Sequence, residues 1–286
     1  MRVICFMSNR LLALAAILIL SAGLTTASAD APCPPDGDFG ECKVLVEINA
    51  SDGDIGFHFL MDGDDLRRAA LFNPDRKKIF SYHTRRELQD QYLTETFAES
   101  AEPLCFDPLT DDDTENDDED FVTLEDFIER WKEGYYYFVG VSDGWELSFG
   151  KTMLTFDLPA APNLDEDDGF GFDDDEGVIS WAAGDDLGEC SAGMELLATR
   201  PEDVPVASWE VVLEPDVDDD DARKGLKYTV RVPPGQNEVT VPEDYLDSLG
   251  PDTPVKIEVG AIGFDDNATF TEEDGICVNE VDGCAE

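Results

Sequence analysis

Residues 249–261 read Leu-Gly-Pro-Asp-Thr-Pro-Val-Lys-Ile-Glu-Val-Gly-Ala, and their reading decides the fold of the C-terminal half. Gly250, Pro251 and Asp252 are turn formers, each for its own backbone reason. Val255, Ile257, Val259 and Ala261 then alternate with Lys256, Glu258 and Gly260, the period-two signature of a strand with one buried face. Working outward, the same alternation recurs in Val178–Trp181, Trp209–Leu213, Lys227–Val232, Glu238–Pro242 and Asn267–Glu272. Pro, Gly and Asp turns separate these runs at near-regular spacing. Short alternating strands with such turns predict an antiparallel sandwich.

The same residues carry a family resemblance. Trp181 closes a strand where fibronectin type III domains place a core tryptophan, and Leu249–Ala261 resembles their Leu-x-Pro-x-Thr-x-Tyr corner and following strand. Residues 178–278 therefore resemble a fibronectin type III (immunoglobulin-like) domain; another immunoglobulin-like sandwich is the alternative. Val255 stands where the family has its corner tyrosine, and the insertion before Trp209 is long. By analogy with the family, the resemblance implies a spacer, adhesive or protein-binding module, because fold alone does not decide function.

The N-terminal half is read from its residues alone. Val44, Val46 and Ile48 alternate with polar neighbours, and Ile55, Phe57, Phe59 and Met61 share one face of a second run. Asp52-Gly53 between them is a strong hairpin signal. Gly134–Gly140 and Lys151–Leu158 predict further strands joined near Asp143-Gly144. Thr123 can cap a helix in which Leu124, Phe127, Ile128 and Trp131 fall on one stripe, with Gly134 as the stop. The expected architecture is mainly β in two domains. Residues 30–158 form a β-rich domain with one short helix, residues 159–177 a Pro-rich and acidic linker, and residues 178–286 the sandwich with a C-terminal tail. The linker contains the run Asp165–Glu176, eight acids in twelve residues. Asp111–Asp120 and Asp216–Asp221 read as solvated loops.

Residues 1–29 read as an export signal: Arg2 and Arg10, the apolar core Leu11–Leu20, and the small-residue site Ala27-Ser28-Ala29. Ten apolar residues make only about 15 Å of helix, too short for a bilayer of about 30 Å. The remaining 257 residues carry 17 basic and 67 acidic side chains, a net charge near −50. Such a surface repels nucleic acid and anionic lipid. Salt adaptation and divalent-cation binding both account for the acidity. Outside the signal the cysteines number six, an even count that argues for disulfides in an oxidising compartment. Cys33/Cys42 and Cys277/Cys284 are the local clips, which leaves Cys105 for Cys190.

Chemistry is sparse in the sequence. There is no Gly-x-Ser-x-Gly elbow, His-Glu-x-x-His or phosphate loop, so no catalytic residue is assigned. His58, between Phe57 and Phe59, reads as a half-exposed surface histidine; with no Cys-x-x-Cys and no cysteine near either histidine, zinc is not expected. The calcium candidates are Asp52, Asp54, Asp62 and Asp64 in two Asp-Gly-Asp motifs, which are also ordinary turn sequences. If residues 55–61 form a strand, Asp54 and Asp62 lie roughly 26 Å apart and cannot share an ion. Seven basic residues between Arg67 and Arg86 form a basic island, read as surface ion pairs or as a docking patch for acidic groups. Tyr135, Tyr136, Tyr137 and Trp145 are candidates for stacking on sugar rings. Asn49-Ala-Ser51 and Asn267-Ala-Thr269 are glycosylation sequons. The expected function is a secreted, non-enzymatic binding, adhesion or structural protein with a protein or glycan partner at a cell surface, calcium being its candidate ion. The alternative is a carbohydrate-binding or carbohydrate-active protein with the sandwich as accessory.

Overall fold

The computed structural model describes residues 39–106, 121–164, 170–173, 177–281 and 283–284. Residues 1–29, read as an export signal, Cys33 and the Asp111–Asp120 run lie outside these residues. The chain is mainly β, as expected, with thirteen strands and three short helices among the described residues.

One large sheet runs through both halves in the order β10-β9-β12-β13-β1-β2-β5-β6. Its strands are β1 (Glu41–Asn49), β2 (Asp54–Phe72), β5 (Gly134–Ser142), β6 (Leu147–Leu154), β9 (Val206–Pro215), β10 (Tyr228–Val232), β12 (Thr253–Gly263) and β13 (Ala268–Val278). β3 (Lys78–His83) and β4 (Leu93–Glu99) pair with successive parts of β2. A second sheet has three strands in the order β11-β8-β7, formed by β7 (Gly171–Asp173), β8 (Val178–Ser180) and β11 (Glu238–Thr240). β7 lies within the run read as an acidic linker, where the sequence signal for a three-residue strand is swamped by charge. The preceding residues Pro159–Pro162 are buried.

Every alternating run forms a strand. In β1, Cys42, Val44, Val46 and Ile48 face inward, and the turn into β2 places Gly53 at φ 73°, a left-handed value that suits glycine. The expected helix is α2 (Leu124–Arg130): Thr123 Oγ1 accepts from the Asp126 amide, and Leu124 and Phe127 are buried. Two further short helices join it: α1 (Glu87–Gln91), a second helix in the N-terminal half, follows the basic island, and α3 (Glu243–Leu249) precedes β12 in the C-terminal half. Both are short and carry a weak periodic signal.

Two apolar cores result. The first gathers the inward faces of β1, β2, β5 and β6 with α2, and Leu187 and Cys190 of the long insertion reach across into it. The second lies between the three-stranded sheet and β9, β10 and β12, around Trp181 and Trp209, whose rings meet edge-on at 5.9 Å. Cys105–Cys190 and Cys277–Cys284 are bonded as expected. Cys42 is disulfide-bonded as well, while Cys33, its expected partner, lies outside the described residues.

The join between the halves is a parallel pairing of β1 with β13, in which Glu47, Ile48 and Asn49 face Ala268, Thr269 and Phe270. Asn267 secures it. The side chain is 1% exposed, accepts from the Val46 amide at 2.9 Å, and donates to the carbonyls of Thr155 and Asp157 at 3.2 Å. Its sequon is thus closed in the folded chain. Asn267→Ala is expected to lower stability by about 2–3 kcal/mol, because it strands buried backbone groups. Chemical denaturation checks this, with Thr155→Ala as the milder comparison.

Candidate binding face and a carboxylate–histidine cluster

β5 and β6 alternate in phase, so one face of the pair enters the first core and the other is open. Tyr136, Phe138 and Leu154 go inward. Outward, the register sets Tyr135 beside Met153, Tyr137 beside Lys151, Val139 beside Phe149 and Val141 beside Leu147. Phe149 is 54% exposed, Leu147 55% and Tyr135 44%. Large apolar side chains in a row on an open sheet mark an interaction surface more often than isolated ones do.

Trp145 extends this face from the β5–β6 turn and is 63% exposed. Its φ of 65° is one that a bulky residue adopts at a cost near 1 kcal/mol. Two guanidiniums cover it: Arg67 and Arg68 lie 5.3 and 5.1 Å from the ring centroid. Neighbours on a regular strand face opposite ways, but β2 shifts register between Leu66 and Arg68. That irregularity brings both arginines to one aromatic. Arg76 sits 3.4 Å from the centre of the Tyr137 ring, and Lys151 lies 4.5 Å from that of Tyr135. Four cations of a strongly acidic chain therefore interleave with the aromatics of one surface. Of the basic island, Lys77 pairs with Asp75, and Arg85 and Arg86 are exposed residues leading into α1.

Among the described residues the four candidate calcium ligands do not gather in one group, although Asp52 and Asp54 are neighbours. Asp54 faces Asn49 at one end of the β1–β2 ladder and Asp62 faces Glu41 at the other. Asp52 accepts a hydrogen bond from the Asn49 amide group at 2.9 Å. Asp64 lines a cleft of about 450 Å³ with Asp65, Asp143 and Glu146, next to Trp145. A second cleft, of about 490 Å³, lies on the seam between the halves, lined by Ser51, Asn163, Asp185 and Asp186 among others.

His58 departs from its expected place. It is 2% exposed, enclosed on the sheet face opposite Phe57 and Phe59. β4 and the segment after it cover this position, and nothing local in the sequence announces that cover. His58 Nε2 lies 2.8 Å from Glu102 Oε1, and Nδ1 lies 3.8 Å from Glu47 Oε2. The Phe97 ring closes the site edge-on at 5.9 Å. Gly56 makes room for the pair: a Cβ there would stand 2.7 Å from Glu102 Oε1 and 2.8 Å from His58 Nε2. Burial raises the Glu47 carboxyl; His58 counters this, while Glu102, Glu99 and Glu210 add to it. Asp54 is pushed up to about 6 by burial and by the charges of Glu102 and Asp52. Among the described residues, Glu47, His58 and Glu102 are the group whose ligand atoms come within 4.8 Å of one another.

No protein-family model matches the chain, and no curated protein matches it. Among solved structures, the BSP domain of a biofilm-associated protein aligns at 11% identity and a TM-score of 0.23, over 86% of this chain and 30% of that one. A bacterial ice-binding adhesin, described for host cell surface retention, aligns at 11% identity and a TM-score of 0.23, over 83% of this chain and 64% of that one. The chain spans less than two thirds of either. A TM-score of 0.23 carries neither function nor a shared global fold across. No described helix is long and apolar enough to cross a membrane.

Proposed function

We propose that this chain is an exported, non-enzymatic binding protein that holds an acidic polysaccharide of a cell surface on the open face of β5 and β6. The observation that carries this reading is the interleaving of Tyr135, Tyr137, Phe149 and Trp145 with Arg67, Arg68, Arg76 and Lys151. Flat aromatic rings stack on the apolar faces of sugar rings, and the cations between them pair with carboxylates or sulfates along the chain. Against a net charge near −50, local cations are what allow an anionic ligand to approach.

The C-terminal half is a fibronectin type III-like module in this proposal. Its strand order, β7-β8-β11 opposite β10-β9-β12-β13, supports that reading. Tyr245 of α3 takes over the anchoring expected of the corner tyrosine, since its hydroxyl donates to the Leu213 carbonyl at 2.8 Å. Burial, the chief cause, holds that hydroxyl up to about 12, so it remains a donor. The disulfides fit an oxidising, extracellular setting.

Trp145 provides the test. Trp145→Gly relieves the left-handed backbone and loses two cation–π contacts made at the surface by a ring 63% exposed, so stability should change by less than about 1 kcal/mol. Binding to soluble alginate, measured by calorimetry with neutral dextran as control, should fall at least tenfold. Unchanged alginate binding in Trp145→Gly, or equal binding of dextran by the native chain, would refute this reading.

A further inference from the structure

We infer that Glu47, His58 and Glu102 form a zinc-class metal site, with His58 Nδ1 and the Glu47 carboxylate as ligands and Glu102 fixing the imidazole from its other side. A neutral imidazole carries one N–H. At 2.8 Å, Glu102 Oε1 accepts that hydrogen from Nε2 and leaves the Nδ1 lone pair directed toward Glu47. The 3.8 Å from Nδ1 to Glu47 Oε2 is too long for a hydrogen bond. It suits an ion held at about 2.0–2.2 Å from each atom with a bent angle at the metal. A carboxylate behind a metal-bound histidine is a recurring device for setting the tautomer and raising ligand basicity.

The surroundings favour a cation. Glu99 lies opposite His58 on β4, and Glu210, itself paired with Arg231, adds its charge from β9. Glu47 is partly exposed, which leaves an open side for water ligands and for entry. An imidazole in the ligand set selects zinc-like ions over calcium or magnesium, which prefer all-oxygen sites. No cysteine takes part: the ligands are an imidazole and the Glu47 carboxylate, and Glu102, 44 residues from the histidine, stands behind the ring.

The experiment uses the full exported chain, without a histidine tag, stripped with chelator and then dialysed. Zinc is titrated in excess calcium, so that diffuse binding by surface acids is already saturated. One saturable zinc site is expected, with a melting temperature raised by about 5–10 °C at a hundredfold excess over Kd. Cobalt substituted for zinc should give a visible absorption band. Glu47→Gln should abolish the site. Glu102→Gln, at a residue more than a third exposed in its side chain, should weaken it about 10–100-fold. Gly56→Ala should displace His58 and Glu102 and remove binding with both ligands still present. Absence of a saturable zinc effect in excess calcium would overturn the assignment, as would retained affinity in Glu47→Gln. A loss in Glu102→Gln equal to that in Glu47→Gln would overturn the division of roles.

Discussion

Replacing Cys105 and Cys190 together by alanine is expected to lower stability by about 4 kcal/mol, a fall in melting temperature of about 8–16 °C. The bond spans 85 residues, so its absence returns a long loop's freedom to the unfolded chain. It also anchors the insertion between Trp181 and Trp209. Leu187 and Cys190 are fully buried in the first core, and the Glu189 amide donates to the Ala50 carbonyl at 3.0 Å. The alanine pair loses the crosslink without placing a hydroxyl in an apolar site. Calorimetry of the variant beside the native chain checks this; a loss below about 1 kcal/mol would mean that packing alone holds the insertion.

Trp181→Ala should cost about 3–5 kcal/mol. Trp181 is wholly enclosed in the second core, packed with Trp209, so alanine leaves a large cavity between the two sheets. The indole Nε1 of Trp181 has no hydrogen-bond partner among the described residues. Trp181→Phe should therefore be much milder than the alanine change, since it removes a buried orphan donor while filling most of the space. Trp209 differs, because its Nε1 donates to the Pro234 carbonyl at 3.2 Å. Trp209→Phe thus loses a bond that Trp181→Phe does not. Urea unfolding of the three variants tests the order; equal costs for the two phenylalanine changes would contradict it.

Much of this architecture was legible in the residues because burial imposes a period. Val255, Ile257, Val259 and Ala261 had to line one face, and all four are fully buried. The hairpin at Asp52-Gly53 and the helix capped by Thr123 rest on local backbone chemistry, which a sequence carries directly. The parallel pairing of β1 with β13 was not legible, since no local signal links Glu47 to Ala268 across more than two hundred residues. The burial of His58 escaped for the same reason: alternation tells which face a residue takes, and long-range contacts tell what covers that face. Alternation likewise separated Tyr135 from Tyr136, but only the tertiary structure shows that the face of Tyr135 is open. The paired arginines at Trp145 depend on a register shift within β2, which the sequence Leu66-Arg-Arg-Ala69 does not announce.

The two functional proposals share β2 but use separate stretches of it, His58 in one and Arg67 and Arg68 in the other, so they fail independently. Metal binding at Glu47 and His58 need not alter the β5–β6 face, and Trp145→Gly should leave the zinc titration unchanged. The central claim concerns that face, and amide hydrogen exchange with and without saturating alginate tests it most directly. The account predicts added protection concentrated in β5, β6 and residues 66–72 of β2, lost in Trp145→Gly. Protection confined to β8 and β11, or an exchange pattern unaltered by the polysaccharide, would contradict it.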